Sequence, residues 1–94
     1  MADQAKFIWF NGKIMPWDDA RIHVMSHILH YGSGVFEGIK CYPTDQGPAI
    51  FHLNKHIHRL FESGEKYGMQ IPFSTNDIIT ATIETVRINE FNSC

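Results

Sequence analysis

The sequence predicts an α+β domain built from a mainly antiparallel sheet of hairpins and two packed helices. Two hairpin-like segments occupy the first half of the chain, and two stretches with a helical spacing of apolar residues occupy the second half. Consecutive strands followed by helices favour an antiparallel sheet, because a parallel sheet needs strands and helices to alternate. The length of 94 residues suits one domain with a small core, so residues 1–94 are expected to form a single domain.

The first hairpin is predicted over FIWF-NG-KIMP, which begins at Phe7. Asn11 and Gly12 supply the positive-φ positions of a type I′ turn, and the flanking runs are rich in aromatic and branched residues. Pro16 is expected to end the second strand. The next segment is undecided, since ARIHV alternates like a strand whereas MSHILHY suits a helical turn with Ser26 near its start.

The second hairpin is predicted to start with a strand over residues 35–42, to turn at TDQGP and to continue in the short strand AIFHL. A helix should follow, with Asn54 as its N-cap and Gly68 at its end. Ser74 or Thr75 should cap the last helix. Each helix carries apolar residues on one face: Leu53, Ile57, Leu60, Phe61 and Tyr67 in the first, Ile78, Ile79, Ile83 and Val86 in the second.

Composition and charge exclude several classes of function. The formal net charge is −2 and the eight Lys and Arg residues are scattered, which argues against a nucleic-acid-binding protein. The chain shows no leader segment and no run of about 18 apolar residues, so a cytoplasmic protein without a membrane partner is expected. Cys41 and Cys94 lie far apart, and the six histidines have no acidic or thiol partner at ligand spacing. Neither a disulfide framework nor a metal site is therefore predicted.

The stretch HYGSGVFEGIKCY, residues 30–42, concentrates the side chains with chemical potential. Its glycines approach the dinucleotide pattern G-x-G-x-x-G, but the third comes one residue late and no helix is expected to follow it. Alternation along a strand would place Phe36, Gly38, Lys40 and Tyr42 on one face. Gly38 then leaves a notch beside a ring, suited to a small apolar ligand. Spacing does not separate this interpretation from a bulge glycine beside a core aromatic residue.

Two cations are candidates for binding or catalysis. Arg59 precedes Leu60 in the predicted helix and should flank its apolar stripe, where a planar guanidinium can bind a phosphate or a carboxylate. The alternative is an exposed arginine paired with Glu62 or Ser63. Lys40 would need burial to act as a Schiff-base lysine, and nothing in the sequence indicates burial.

Two long segments, FNGKIMPWDDARIHVMSHILHYGSGVFEGIKCY and GPAIFHLNKHIHRLFESGEKYGM, together resemble the N-terminal part of branched-chain-amino-acid aminotransferases, which are pyridoxal-phosphate enzymes of fold type IV. The resemblance covers nearly the whole chain and rests on H-x-L-H-Y-G-x-x-V-F-E-G-I-[RK]-x-Y followed by H-x-x-R-L. It implies the small N-terminal domain of that fold type. It also implies transfer of the amino group between leucine, isoleucine or valine and 2-oxoglutarate through pyridoxal 5'-phosphate.

The resemblance further implies roles for individual residues. Arg59 matches the arginine that binds the phosphate of the cofactor. Phe36 and Gly38 match positions that line the pocket for the substrate side chain. Tyr31 matches a tyrosine that helps to close that pocket, commonly in the neighbouring subunit, so a homo-oligomer is expected. Lys40 stands where many members carry arginine, which keeps the charge and loses the planar fork.

The largest departure from the family is at the end of the sequence. The chain stops at FNSC, where the family continues with a Tyr-Ile-Arg segment and a second domain that carries the Schiff-base lysine. The expectation is an N-terminal domain or fragment that exposes apolar surface, tends to self-associate, holds no catalytic residue and is inactive by itself. The alternatives are a D-amino-acid aminotransferase or an aminodeoxychorismate lyase of the same fold, or a non-catalytic assembly or ligand-binding module.

Overall fold

A computed structural model describes residues 5–94, and residues 1–4 of the predicted domain lie outside that range. The elements, in chain order, are β1 (Phe7–Phe10), β2 (Lys13–Pro16), a 3-10 turn (Trp17–Asp19), α1 (His27–Tyr31), β3 (Cys41–Thr44), β4 (Gly47–Ile50), α2 (Leu53–Lys66) and α3 (Thr75–Ile88). β1 pairs with β2 and β3 pairs with β4, both antiparallel. The predicted α+β architecture of hairpins and two main helices is confirmed. Within residues 5–94, each helix is too short or too polar to cross a bilayer.

The first hairpin forms as its turn residues predict. Asn11 has φ 52° and Gly12 has φ 98°, the two positive angles that a type I′ turn requires. Gly12 is also confined by packing, because a Cβ atom there would lie 3.3 Å from the ring of Phe73. The same ring meets Trp9 edge-on, with the ring centroids 5.1 Å apart. β2 ends at Pro16 as predicted, so local sequence determines this part of the fold.

The undecided segment before residue 32 contains a helical turn and no strand. α1 spans His27–Tyr31, and Ser26 occupies its N-cap position. The hydroxyl of Ser26 donates to the carbonyl oxygen of His23 at 2.7 Å and does not cap the helix. Gly32, with φ 67°, ends the turn. The strand that the alternation of ARIHV indicated does not form, since no strand in the described residues pairs with this segment.

The strand predicted over residues 35–42 is only partly correct. β3 begins at Cys41, where its ladder with Ile50 of β4 starts. Within residues 5–94, no strand pairs with residues 32–40, although the carbonyl oxygen of Lys40 accepts from the amide of Phe51 at 2.8 Å. The predicted alternation is nevertheless confirmed, because exposure rises and falls with a period of two over residues 33–41.

The strand predicted over AIFHL ends at Ile50, and this shifts the start of the next helix. His52 adopts φ 53° and turns the chain directly into α2, which begins at Leu53. Asn54 therefore lies within the first turn, and its prediction as N-cap is wrong. The predicted end is confirmed: Gly68 has φ 69°, and its amide donates to the carbonyl oxygen of Glu65 at 3.0 Å.

The last helix begins at a capping box formed by Ser74 and Asp77. The hydroxyl of Ser74 accepts from the amide of Asp77 at 3.0 Å, and the carboxylate of Asp77 accepts from the amide of Ser74 at 2.9 Å. The reciprocal bonds satisfy two amides at the helix start, so the predicted cap at Ser74 is confirmed.

The core between hairpins and helices is small. Tyr67 is 70% exposed and Ile83 is 39% exposed, so both fall outside the predicted buried faces. Tyr67 is exposed because it lies at the C-cap, beyond the last turn of α2, and Ile83 borders an open groove beside β4. The buried hydrophobic residues in residues 5–94 are Cys41, Ile57 and Ala81.

Large apolar side chains are exposed between the two hairpins, in agreement with the expected apolar surface. This stretch includes two residues predicted to line the substrate site, Tyr31 and Phe36. We call it the apolar segment; its exposed members are Ile22, Val24, Met25, Ile28, Leu29, Tyr31 and Phe36. Self-association through such a surface stays a prediction.

Asn89 ties the end of α3 to β1. Its Oδ1 accepts from the amides of Lys6 and Phe7 at 2.8 and 2.9 Å. Its Nδ2 donates to the carbonyl oxygens of Phe7 and Thr85 at 3.0 and 2.8 Å.

We expect Asn89→Ala to lower the free energy of unfolding by about 1–3 kcal/mol, because partly buried backbone groups lose their partners. Urea denaturation measures the change. Asn76→Ala, at an exposed position of the same helix, is the control, and an equal loss in both variants would contradict the tether.

Candidate functional site

The segment before β3 and helix α2 meet at the carboxylate of Glu37. Arg59 donates from Nε to Oε2 and from Nη2 to Oε1 of Glu37, each at 2.8 Å. His56 Nδ1 lies 2.7 Å from the same Oε1 and donates to it, since a carboxylate only accepts. The side chain of Glu37 is 6% exposed. We call these three side chains the Glu37 cluster.

The local folds that build the cluster are simple. His56 and Arg59 are three residues apart on α2, so both side chains reach the same side of the helix. Glu37 belongs to the less exposed set of residues in the alternating segment 33–41. The pairing of Arg59 with Glu62 or Ser63, considered from the local sequence, is wrong because the partner lies 22 residues earlier in the chain. The sequence analysis did not identify Glu37 as a functional residue. The alternation that places Phe36 and Gly38 on one face also places Glu37 on the opposite face, and this could have indicated it.

The charges in the cluster reinforce one another. The hydrogen bonds from Arg59, and then that from His56, lower the pKa of Glu37 from 4.5 to about 2. The carboxylate in turn raises the pKa of Arg59 above its already high value. Glu37 is therefore an anion and Arg59 a cation throughout the neutral range.

Arg59 keeps free donors after it has bound Glu37. A guanidinium carries five N–H bonds, and the two bonds to Glu37 use one on Nε and one on Nη2. Both N–H bonds of Nη1 and one of Nη2 remain, and they form a second fork at the tip of the side chain. That side chain is 66% exposed, so the second fork is open to a ligand.

Arg59 also lines an open pocket of about 220 Å³. The other lining residues are His52, Lys55 and His56, and no carboxylate-bearing residue is among them. Two permanent cations and two imidazoles suit an anion with several oxygens, such as a phosphate. The donor set therefore fits the phosphate group of a cofactor such as pyridoxal phosphate.

The predicted substrate-wall residues lie on the other, exposed side of the same segment. Phe36 is 87% exposed, so the alternative of a core aromatic at this position is wrong. A Cβ atom at Gly38 would meet no atom within 4 Å, which leaves the predicted notch open. Lys40 and Tyr42 are also exposed. Alternation thus separates these residues from Glu37, which faces α2.

Tyr31 belongs to a different element from these wall residues. It lies at the end of α1, is 73% exposed, and its ring packs on His27 with the centroids 4.6 Å apart. Within residues 5–94, neither ring contacts the ring of Phe36. The chain by itself therefore brings Phe36, Gly38 and Lys40 to one face, and leaves Tyr31 available to another surface.

The two cysteines are neighbours although the sequence separates them. The amide of Cys41 donates to the carbonyl oxygen of Cys94 at 2.8 Å, and the reverse bond is 3.1 Å. Both thiols are free. Burial, and then the nearby Cys94, raise the pKa of the Cys41 thiol, which therefore stays protonated and is a poor nucleophile. Across residues 5–94, no group of three His, Cys, Asp or Glu side chains is arranged to bind a metal.

Comparison with known proteins relates the sequence and the fold of this chain to one enzyme family. No family model matches the chain. The branched-chain-amino-acid aminotransferase of Pseudomonas aeruginosa is 50% identical over 93 residues, which are 99% of this chain and 30% of that protein. The crystal structure of a T.th. branched-chain amino acid aminotransferase complexed with N-(5'-phosphopyridoxyl)-L-glutamate matches with a TM-score of 0.95. It is 45% identical, and the match covers 97% of this chain and 30% of that one. In sequence and in fold, the chain is similar to about 30% of a branched-chain-amino-acid aminotransferase.

A second aminotransferase gives the same correspondence in sequence and structure. The Escherichia coli (strain K12) branched-chain-amino-acid aminotransferase is 42% identical over 90 residues, which are 96% of this chain and 29% of that protein. A crystal structure of the E. coli aminotransferase matches with a TM-score of 0.92. The chain thus spans about 30% of the length of the curated aminotransferases that it matches.

Proposed function

We propose that this chain is the N-terminal domain of a longer pyridoxal-phosphate-dependent transaminase. The whole protein would transfer the amino group between leucine, isoleucine or valine and 2-oxoglutarate. Sequence identities of 42–50% and TM-scores of 0.92–0.95 to branched-chain aminotransferases support the proposal. A second domain would supply the Schiff-base lysine, and the whole protein would act as a homo-oligomer in the cytoplasm.

The observation that carries the proposal is that Arg59, which keeps three free N–H donors after binding Glu37, lines a pocket together with Lys55 and two histidines. A charge-assisted fork of this kind holds a phosphate in one orientation. Arg59 would therefore anchor the phosphate of pyridoxal phosphate, with Lys55 adding positive charge. When bound, the cofactor supplies an electron sink for the negative charge that develops at the α-carbon of the amino acid.

The exposed face of the segment would contribute one wall of the substrate pocket. Phe36 offers an apolar ring, and Gly38 leaves space beside it for a branched side chain. Lys40 would stand at the rim as a point charge. Tyr31, exposed at the end of α1, would help to close the pocket of a neighbouring subunit. These residues bind and orient the substrate and do not transfer its proton.

By itself the chain is expected to be inactive, because none of its residues is assigned the central proton transfer. Lys40 is exposed on the wall, and a Schiff-base lysine needs a desolvated site with a lowered affinity for its proton. The catalytic residues would thus all come from the second domain.

The proposed function is tested with the whole protein and pyridoxal phosphate. We expect glutamate to form from 2-oxoglutarate with L-leucine, L-isoleucine or L-valine as amino donor, and no turnover from the purified 94-residue chain. D-Alanine and aminodeoxychorismate are the control substrates. Turnover confined to D-alanine, or pyruvate release from aminodeoxychorismate alone, would indicate the other type IV activities. Transamination by the 94-residue chain would contradict the two-domain assignment.

A further inference from the structure

We infer that Glu37 is a positioning residue for the cofactor phosphate: it fixes the guanidinium of Arg59 so that the free fork faces the pocket. The inference rests on the proposed function and goes beyond it, because Glu37 makes no contact with the phosphate in this role. Its action is exerted entirely through Arg59.

The geometry supports this role because Glu37 binds the side of the guanidinium and leaves the tip free. The bonds of 2.8 Å to Nε and Nη2 fix both the position and the plane of the group. An arginine side chain has many rotamers when exposed, and 66% of this one is exposed. A fork already held in the binding orientation loses less freedom when the phosphate arrives.

Glu37 is itself held firmly enough to orient another side chain. Its side chain is 6% exposed, and His56 donates a third hydrogen bond of 2.7 Å to Oε1. Arg59 and His56 both belong to α2, so the carboxylate connects the extended segment before β3 to that helix. The ion pair is therefore fixed at both ends, although the arginine tip is open to solvent.

The same arrangement balances the charge of the pocket. Glu37 neutralises one positive charge, but it bonds on the side of Arg59 away from the free fork. Lys55 and the imidazoles of His52 and His56 line the pocket together with that fork. A phosphate would thus meet donors and cations, while the orienting carboxylate stays outside the lining.

Equilibrium dialysis of the whole protein with pyridoxal phosphate and with pyridoxal tests the inference. Glu37→Gln is expected to raise the dissociation constant for pyridoxal phosphate about tenfold. The constant for pyridoxal, which has no phosphate, should stay at the wild-type value. Glu37→Asp, which keeps the charge and shortens the side chain by one methylene, should show the same selective loss. It provides a second variant if the first does not fold.

A double-mutant cycle with Arg59→Ala decides whether Glu37 acts through Arg59. In the Arg59→Ala background, Glu37→Gln should cause no further loss of affinity for pyridoxal phosphate. Glu62→Gln, the same chemical change at an exposed position of α2, is the matched control and should leave both affinities unchanged.

The outcomes separate the inference from the proposed function. A wild-type protein that binds pyridoxal phosphate no better than pyridoxal would refute the phosphate anchor, and with it the inference. If the wild type prefers pyridoxal phosphate, wild-type affinity in a folded Glu37 variant would refute the inference alone. Equal losses for pyridoxal phosphate and pyridoxal would also refute it, because they would show a general structural effect.

Discussion

Arg59→Ala is expected to weaken retention of pyridoxal phosphate by the whole protein by about 3 kcal/mol, or roughly a hundredfold in dissociation constant. The variant loses the two-pronged contact with the phosphate. It also removes both guanidinium bonds to Glu37, whose side chain is 6% exposed. Equilibrium dialysis against buffers with graded concentrations of pyridoxal phosphate measures the dissociation constant.

Two further variants show which property of Arg59 matters. Arg59→Lys keeps the positive charge but loses the planar fork, so an intermediate affinity is expected. Arg87→Ala removes an exposed arginine from α3, outside the pocket beside α2, and should leave retention unchanged. Wild-type affinity in Arg59→Ala would make Arg59 a surface residue that pairs with Glu37 and has no role in cofactor binding.

Gly38→Val is expected to raise the KM for leucine at least about tenfold in the whole protein, with no change in affinity for pyridoxal phosphate. The domain itself tolerates a side chain here, because a Cβ atom at Gly38 meets nothing within 4 Å. The added methyl groups would therefore obstruct the substrate and leave the fold intact. Steady-state kinetics with leucine measures the effect.

A size series at position 38 provides the control. Gly38→Ala should raise the KM less than Gly38→Val, since the loss depends on the volume that enters the pocket. Unchanged melting temperatures in both variants would show that the domain is intact. A KM for leucine equal to that of the wild type in Gly38→Val would remove Gly38 from the pocket wall.

Features that depend on a few neighbouring residues were predictable from the sequence. Asn11 and Gly12 adopt the positive φ angles of the predicted turn. Ser74, one of the two predicted caps, begins α3 and bonds reciprocally with Asp77 three residues later. The alternation around Phe36 was also predictable, because side chains on opposite sides of extended backbone need no information from the rest of the chain.

Features that depend on distant partners were not predictable in this way. β3 starts at Cys41 because the ladder with Ile50 starts there, and side-chain patterns do not reveal where a partner strand ends. Asn54 has the side chain of a cap, yet the left-handed turn at His52 places the helix start before it. Glu37 and Arg59 are 22 residues apart in the sequence. Their hydrogen bonds depend on how the segment packs against α2, which local sequence does not reveal.

The alternating exposure of residues 33–41 allows substrate choice and cofactor binding to be engineered separately within one short segment. Positions 36, 38 and 40 face outward and make no contribution to the ion pair, whereas position 37 faces α2. If the proposed roles hold, changes at the even-numbered positions would alter substrate choice, and the unchanged odd-numbered positions would keep Glu37 and its bonds to Arg59. A mutant library confined to the even positions would search new amino-donor specificities with little loss of holoenzyme. In a library that randomises the whole stretch, most clones would lose Glu37 and would therefore bind the cofactor less well.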